Sequence, residues 1–383
     1  MADQPSSPAG ERGRFAVITD DALGSLRRLI GVPIVDTVEP WCYEATRDNI
    51  RHYAHGIGDD NPLWCDPEYA AQGPHGTIVA PPSFVFAMNR VLSGYVGGLP
   101  GIHAMWAGAD IRWHGPITRN TEVRSVAHLA DLVEHDTSFA GRAIQQIYHV
   151  DFYDAATDEL LCDGESWCFR TERDTARELG TKYERAKARP ETQYTPDEIK
   201  AIFDLYEAET RRGDEPRYVE DVSVGDELPL MVKGPMTVTG FIAFAQGWGG
   251  LYIRANRLAW QQLRKHPGLG IPNGFGIPDV PERVHWETDL ATEVGTPAAY
   301  DYGPERCSWL THHLTDWMGD HAKLVAHRNQ IRHHNVIGDW IKITGRVSAV
   351  DADGNVEITQ EAHNQHGDLS ATGAGTVRLP TAP

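Results

Sequence analysis

The sequence of 383 residues lacks several features that define whole classes of protein. No apolar run approaches the roughly 20 residues of a membrane-spanning helix, and residues 1–13 contain no apolar stretch typical of a secretory signal. Only five residues are cysteine, and no two form a C-x-x-C pair, which argues against a disulfide framework or a zinc knuckle. We therefore expect a cytoplasmic protein with buried, unpaired cysteines.

Positive charge is also scarce. There are 35 lysine and arginine residues against 54 aspartate and glutamate residues, a formal net charge of −19. A field of this sign repels nucleic acids and anionic membranes at long range, so neither is an expected partner. An anionic small molecule is not excluded, because a local cluster of arginines acts within the Debye length of about 8 Å.

The length and the composition predict two domains joined by a linker. The first dozen residues are rich in proline, serine and glycine, which predicts a disordered tail over residues 1–13. Residues 173–216 are rich in charged residues and threonine, and they form the predicted linker. Thr195 and Glu198 have the spacing of a capping box, so this linker carries a helix. The two domains are then residues 14–172 and 217–383.

The two predicted domains repeat one another. ATRDNIRHYAHGIGDD from Ala45 aligns with MTVTGFIAFAQGWGGL from Met236 at an offset of 191 (236 − 45). Further along, IRWHGPI from Ile111 is similar to IRHHNVI from Ile331. Such repetition indicates that one architecture occurs twice in the chain.

Each half contains an apolar helix followed by long strands with alternating hydrophobicity. The helix is SFVFAMNRVL from Ser83 in the first half and PERCSWLTHHLTDWMG from Pro304 in the second. The DADGN sequence from Asp351 predicts a hairpin turn between two strands of the second half. The pattern favours an α+β fold in which two similar halves form a pseudo-dimer with a continuous antiparallel sheet.

The most specific motif is YAHGIGDDNPLW, from Tyr53 to Trp64, followed by APPSF from Ala80. It resembles the hydratase motif of the MaoC-like hot-dog family, in which an aromatic residue precedes G-D-x-N-P, an aliphatic residue and a histidine. APPSF is similar to the N-terminal half of the dehydratases related to type I fatty acid synthase. The resemblance is specific over residues 45–89 and weaker over 101–170 and 222–379. It implies two hot-dog folds in one chain.

The resemblance implies an acyl-thioester dehydratase or hydratase, a lyase of fatty acid or polyketide metabolism. In that family an aspartate and a histidine add or remove water across the 2,3 bond by general acid–base catalysis. Asp59 matches the aspartate, and Asn61 would hold its loop. The position of the histidine is Trp64, whose indole cannot accept a proton. We expect His75 or His55 to replace it.

The resemblance and the residues also suggest how a thioester would bind. Trp64 lies in the motif, and the amides of Ser83 and Phe84 at the start of the apolar helix could donate to the thioester oxygen. A simple helix start explains the same residues. Arg112 and Arg332 are candidate contacts for the phosphates of coenzyme A, although arginine at a strand end is ordinary. The expected substrate is an acyl-CoA or an acyl-carrier thioester.

The second half lacks the motif, because Gly250 stands at the position of the aspartate. We therefore expect it to have no site of its own and to shape the acyl pocket with three aromatic residues. These are Trp248, Trp309 and Trp317.

Other readings of the second half stay open. His312, Asp316 and Asp320 are spaced i, i+4, i+8 and could ligate a metal, although surface or capping roles explain them as well, and we expect no metal or redox cofactor. An acid on this helix would also suit a hot-dog thioesterase, with Asp316 activating water. The loss of the histidine also allows a non-catalytic thioester-binding protein, or the partner subunit of a separate dehydratase. A homodimer is a further alternative.

Overall fold

The computed structural model describes residues 17–35, 39–100, 102–137, 141–172 and 192–383. The predicted disordered tail and much of the predicted linker therefore lie outside the described residues. Within the described ranges, no helix has the length and apolar character needed to cross a membrane. The five cysteines are all free, and all of them are buried except Cys65, which is half-buried.

The described residues form one large antiparallel sheet and a two-stranded ribbon. The first half supplies four strands of the large sheet: β1 (His103–Trp113), β2 (Val123–Thr137), β3 (Gly141–Asp154) and β4 (Leu160–Thr171). The second half supplies the other five strands of that sheet and the ribbon: β5 (Met231–Lys233), β6 (Ile271–Pro272), β7 (Pro278–Asp279), β8 (Lys323–Ile331), β9 (Ile341–Val350), β10 (Asn355–Asn364) and β11 (Leu369–Arg378). The ribbon consists of β6 and β7.

The strand order shows that the two halves are related by a pseudo-twofold axis. The order is β2-β3-β4-β1 in the first half, continued by β8-β11-β10-β9-β5 in the second. β1 and β8 pair antiparallel at the centre, from Gly108 opposite Gln330 to Arg112 opposite Ala326. Each half therefore has the same strand order read outward from the centre, except that β5 extends the outer edge. The predicted α+β fold, two hot-dog folds sharing one continuous antiparallel sheet, is confirmed.

The described helices lie between and beside these strands. They are α1 (Asp20–Arg27), α2 (Arg47–Gly56), α3 (Pro62–Cys65), α4 (Pro67–Gln72), α5 (Val85–Met88), α6 (Pro196–Glu207), α7 (Val238–Trp248), α8 (Asn256–Lys265), α9 (Thr288–Glu293) and α10 (Gly303–Met318). The linker helix α6 begins with the predicted capping box, because Thr195 and Glu198 exchange both hydrogen bonds. The predicted turn at Asp351 joins β9 to β10.

The central helix of the second half is α10. Every residue from Pro304 to Met318 is buried, since the sheet wraps this helix and the first half covers its remaining side. Pro304 at the first turn suits a helix start, where its missing amide hydrogen has no intrahelical partner. The helix ends at Gly319, which has a positive φ of 75°.

The first half has a much shorter central helix than the sequence predicts. Instead of a helix over SFVFAMNRVL, the segment has one 3₁₀ turn, Pro82–Phe84, followed by the single α turn of α5. Asn89 ends it, because its backbone is extended and its side-chain oxygen accepts from the amides of Val91 and Leu92. Asparagine competes in this way with the helical hydrogen bonds. The predicted helix is correct in place and wrong in length.

Two glycines let α2 and α7 cross at close range. A Cβ at Gly56 would lie 3.0 Å from the backbone oxygen of Ala243, and a Cβ at Gly247 would lie 2.6 Å from the backbone oxygen of His52. Both glycines and both carbonyls are related by the same sequence offset of 191 (247 − 56 and 243 − 52). The repeat recognised in the sequence is therefore the pair of helices that meet on the pseudo-twofold axis.

Candidate active site

Asp59, the aspartate of the motif, is buried and hydrogen-bonded within its own loop. The loop follows α2, and the Asp59 side chain is 1% exposed. Its Oδ1 accepts from the backbone amide of Asn61 at 2.9 Å, and its Oδ2 accepts from the indole Nε1 of Trp64 at 2.8 Å. The Asn61 side chain in turn accepts from the amide of Leu63 and caps α3. Asn61 thus holds the loop, and Trp64 covers the carboxylate.

The histidine nearest this carboxylate comes from the second half. His312 on α10 places its Nε2 3.5 Å from Asp59 Oδ1 and 3.2 Å from Asp316 Oδ2. Lys233, at the end of β5, lies 2.9 Å from the other ring nitrogen. Arg211 donates to Asp316 Oδ1 at 3.1 Å. Burial lowers the pKa of Lys233.

This cluster has the spacing of a metal site but the chemistry of an ion-pair network. Ligand atoms of Asp59, His312 and Asp316 lie within 4.8 Å of one another. When Lys233 is charged, its ammonium donates to Nδ1 of His312, and the ring then carries its hydrogen at Nε2, with no lone pair there for a cation. Lys233 and Arg211 also balance the two carboxylates. The cluster fits a buried support for the loop of the motif.

A cavity of about 120 Å³ is lined by Trp64 but not by Asp59. The indole ring forms part of its wall, with Pro82 and Thr315 elsewhere on the lining. His75 enters it from the loop after α4, and Asp320 enters it from the turn after α10. The cavity is therefore built at the junction of the two halves.

His75 and Asp320 have pKa values shifted in opposite directions. Burial lowers the pKa of His75, and the nearby Lys323 ammonium lowers it further. Burial raises the pKa of Asp320, although the Tyr69 hydroxyl, which donates to its Oδ2 at 2.7 Å, opposes the shift. The histidine thus favours the neutral, basic form and the carboxyl retains its proton to a higher pH than usual. Both shifts favour the uncharged form of the group, which is an imidazole that can accept a proton and a carboxylic acid that can donate one.

The structure separates the remaining predicted residues from this cavity. His55 is exposed, with Nε2 3.8 Å from the Cys65 sulfur. Arg112 is exposed, with a guanidinium nitrogen 3.8 Å from Asp163, and Arg332 is exposed and donates to Gln330 at 2.6 Å. None of the three residues lines the cavity.

The start of the first central helix offers less than predicted. The amide of Phe84 donates to Pro81 within the 3₁₀ turn, so it is already used. Ser83 is buried, and its carbonyl accepts from the Tyr53 hydroxyl at 2.7 Å. Pro81 and Pro82 line the cavity, whereas Ser83 and Phe84 do not.

The three tryptophans predicted to shape an acyl pocket lie apart. Trp248 lines a second cavity, described below. Trp309 is buried in the main core, and the Trp317 ring packs under the Arg217 guanidinium at 4.7 Å. The prediction of one shared aromatic pocket is therefore wrong.

Sequence reasoning recognised His312, Asp316 and Asp320 only as one helix face. The structure corrects this, because α10 ends at Met318 and Asp320 lies beyond Gly319, turned toward Tyr69. The i, i+4 spacing of His312 and Asp316 was the available signal for the cluster around Asp59. No local pattern marks Lys233, which reaches the cluster only through the pairing of β5 with β9.

Comparison with known proteins agrees with the motif. Residues 28–148 match the family model described as FAS1-like, dehydratase domain region. A UPF0336 protein of Streptomyces avermitilis is 43% identical over 54 residues, which are 14% of this chain and 36% of the relative. A UPF0336 protein of Saccharopolyspora erythraea is 30% identical over 95 residues, 24% of this chain and 61% of the relative. The chain thus spans 36% of the length of the first of these relatives.

Solved structures match over nearly the whole chain. A MaoC-like dehydratase superposes with a TM-score of 0.65 at 16% identity, covering 93% of this chain and 100% of that one. A MaoC domain protein dehydratase from Chloroflexus aurantiacus has a TM-score of 0.58 at 13% identity, with 98% and 100% covered. A Mycobacterium tuberculosis protein described as a double hot-dog fold has a TM-score of 0.50 at 10% identity, with 89% and 95% covered. These likenesses confirm the fold that the motif implied.

Proposed function

We propose that this MaoC-like double hot-dog protein is a hydro-lyase that interconverts 3-hydroxyacyl and 2-enoyl thioesters in the cavity beside Trp64. One observation carries the proposal: His75 and Asp320 line the same cavity, next to a dehydratase motif, with pKa values shifted in opposite directions. The proposal replaces the missing histidine of the motif with His75, and it gives the acid role to a residue from the second half.

In the dehydration direction, the neutral His75 imidazole removes a proton from the α-carbon of the 3-hydroxyacyl thioester. The electron pair of that C–H bond becomes the new double bond as the C–O bond at the β-carbon breaks. Asp320, in its protonated form, gives its proton to the departing hydroxide, which leaves as water. Return of one proton from the imidazolium to the carboxylate, through water, restores both groups. Hydration follows the same path in reverse.

Asp59 has a positioning role in this proposal. Trp64 separates its carboxylate from the cavity, and both carboxylate oxygens already accept hydrogen bonds. The carboxylate fixes the indole, whose ring forms the cavity wall. A wall held in this way keeps the reacting carbons close to the acid and the base.

The other walls of the cavity suit a hydrocarbon chain. They include four large apolar residues, namely Leu63, Val79, Ile117 and Leu324. Lys323 lies on the lining and is exposed, so it offers a cation to an anionic carrier group. An acyl chain joined through a thioester to coenzyme A or to a carrier protein has these two properties.

The thioesterase alternative has less support. Asp316, its candidate acid, is paired with Arg211 and with His312, and it does not line the cavity beside Trp64.

The test is the hydration of a 2-enoyl-CoA by the full chain, followed by the loss of absorbance of the conjugated thioester. His75→Asn and Asp320→Asn should each lower kcat by about 10²- to 10⁴-fold, the usual contribution of a general acid or base. His55→Gln is the matched control, since His55 is an exposed histidine near the same motif. If His75→Asn and Asp320→Asn both kept the kcat of wild type, the assigned roles would be refuted. Complete absence of turnover would favour a non-catalytic thioester-binding protein.

A further inference from the structure

A second cavity, of about 160 Å³, lies at the opposite end of the central helices. The first cavity adjoins Pro82 at the start of one central segment and Thr315 near the end of the other. The second adjoins Ser93 after the first segment and Gly303 at the start of α10. The two cavities are therefore mates under the pseudo-twofold axis. The motif aspartate is absent beside the second one, where the repeat has Gly250.

A carboxylate nevertheless occupies that place. Glu282 reaches in from 32 residues further along the chain (282 − 250), and a Cβ at Gly250 would lie only 2.8 Å from its Oε1. Its Oε2 accepts from the amide of Tyr252 at 2.8 Å. In the first half, Asp59 accepts from the amide of Asn61, and Asn61 and Tyr252 are related by the offset of 191 (252 − 61). Glu282 thus restores the hydrogen bond of the lost aspartate.

In contrast to Asp59, this carboxyl lines its cavity, together with Tyr302 and His285. Burial raises the pKa of Glu282 and of Tyr302, and burial lowers the pKa of His285 to about 4. The Tyr302 hydroxyl makes no hydrogen bond of ordinary geometry with the described residues, although the neighbouring Glu282 carboxyl also raises its pKa. His285 donates from Nδ1 to the Tyr300 carbonyl at 2.8 Å, so its Nε2 is an acceptor. Burial favours the uncharged form of all three groups, so the cavity suits an uncharged ligand, and the Tyr302 hydroxyl is the group that can donate to an oxygen such as that of a thioester carbonyl.

A larger, open groove of about 960 Å³ adjoins this cavity, with which it shares the wall residues Ala104 and Leu251. Three basic side chains line the groove, and these are Arg254, Arg264 and Lys265. Arg170 is also on the lining, but it is buried and donates to the carbonyls of Leu99 and Ile102. Glu39 is the single acidic residue among its described lining residues. In a chain with a net charge of −19, this local excess of cations suits a phosphorylated ligand.

We propose that a second ligand site lies at this second junction of the two halves, where the basic groove binds the phosphates of an acyl-CoA-type thioester and the inner cavity binds its thioester group. The inference rests on the proposed function in one respect, because the ligand class, an acyl-CoA-type thioester, is taken from it. It reverses the expectation that a second half with Gly250 has no site of its own. Tyr302 is the donor to the ligand oxygen, and Lys265 contacts a phosphate.

The experiment is isothermal titration of the full chain with butyryl-CoA, a saturated thioester that a hydratase cannot turn over. Wild type should bind two equivalents, one at each cavity. Lys265→Glu should weaken one class of site by about fivefold or more, and Tyr302→Phe should weaken it by about three- to tenfold, the loss of one hydrogen bond. Arg257→Glu is the control, because Arg257 lies on α8 with Lys265 but outside the groove.

The outcomes separate the two proposals. If wild type binds one equivalent of butyryl-CoA and both Lys265→Glu and Tyr302→Phe weaken that binding, the second site is supported and the first cavity is not a thioester site. One equivalent that neither variant weakens overturns the second site, as does the absence of saturable binding to wild type. Thermal unfolding of each variant, compared with wild type, identifies a loss of binding caused by misfolding. If Tyr302→Phe is misfolded, the affinity of Lys265→Glu alone tests the second site, because Lys265 is exposed on the rim of the groove.

Discussion

At the scale of single residues, one substitution changes the site most. Where the hydratase motif leads one to expect histidine, Trp64 donates its indole hydrogen to Asp59 and turns its ring to the cavity. An aspartate that a resemblance assigns to catalysis is thereby placed behind the cavity wall. The residues that face the cavity with acid and base character, His75 and Asp320, come from outside the motif.

Asp59→Asn tests the positioning role. Asp59 accepts two N–H donors, whereas asparagine has one acceptor oxygen and would turn an NH₂ group toward a donor. Loss of one buried hydrogen bond should lower the free energy of unfolding by about 1–3 kcal/mol, measured by denaturant titration. Asp60→Asn, at the exposed neighbouring residue, should cost less than about 1 kcal/mol. Unchanged stability with a kcat lowered 100-fold or more would instead show direct catalysis by Asp59.

Lys323→Met tests the base. The charged groups acting on His75 are Lys323, Asp320 and His321, and the Lys323 ammonium lowers the pKa of His75 by disfavouring the imidazolium. Without that cation the pKa of His75 rises, so the acidic limb of kcat/KM should move to higher pH. Because Lys323 is exposed, the shift should shrink as salt is added. Lys200→Met, on α6, should leave the profile unchanged, and a limb that stays in place in Lys323→Met would refute the role of His75.

At the scale of elements, close packing of α2 on α7 holds the motif loop against the second half. A Cβ at Gly247 would lie 2.6 Å from one backbone atom and 2.8 Å from another, so the helices must separate. We expect Gly247→Ala to lower the free energy of unfolding by about 1–3 kcal/mol despite the better helix propensity of alanine. Gly24→Ala in α1, with no atom within 4 Å of its Cβ, should raise it by up to about 1 kcal/mol. Equal or greater stability of Gly247→Ala would contradict this account of the crossing.

At the scale of the whole molecule, neither half holds a complete site. The cavity beside Trp64 takes His75 from the first half and Asp320 and Lys323 from the second. Its mate takes Ser93 and Trp106 from the first half and Glu282, His285 and Tyr302 from the second. Pairing of β1 with β8 joins the two halves at the centre of the sheet, so it fixes both junctions at once. The continuous sheet is therefore a condition for either site.

The sequence by itself determined the architecture, because the fold depends on patterns that survive in a linear reading. The repeat offset of 191 residues and the alternating strands predicted two similar α+β halves, and the resemblance carried by the GDDNP motif implied that each half is a hot-dog fold. The local hydrogen bonds of Asn61 follow from the motif. The length of the first central helix depended on competition between Asn89 and the helical backbone, which periodicity alone does not decide.

Only the tertiary structure decided which side chains share a site. His312 lies beside Asp59, and Asp320 shares a cavity with His75. The Glu282 carboxyl lies next to Gly250, 32 positions earlier (282 − 250), where the first half has its motif aspartate. These neighbours are far apart in the chain and meet only because two halves pack across a pseudo-twofold axis. A motif records the chain near one residue, whereas the pKa of a buried group depends on every charge and every surface packed against it.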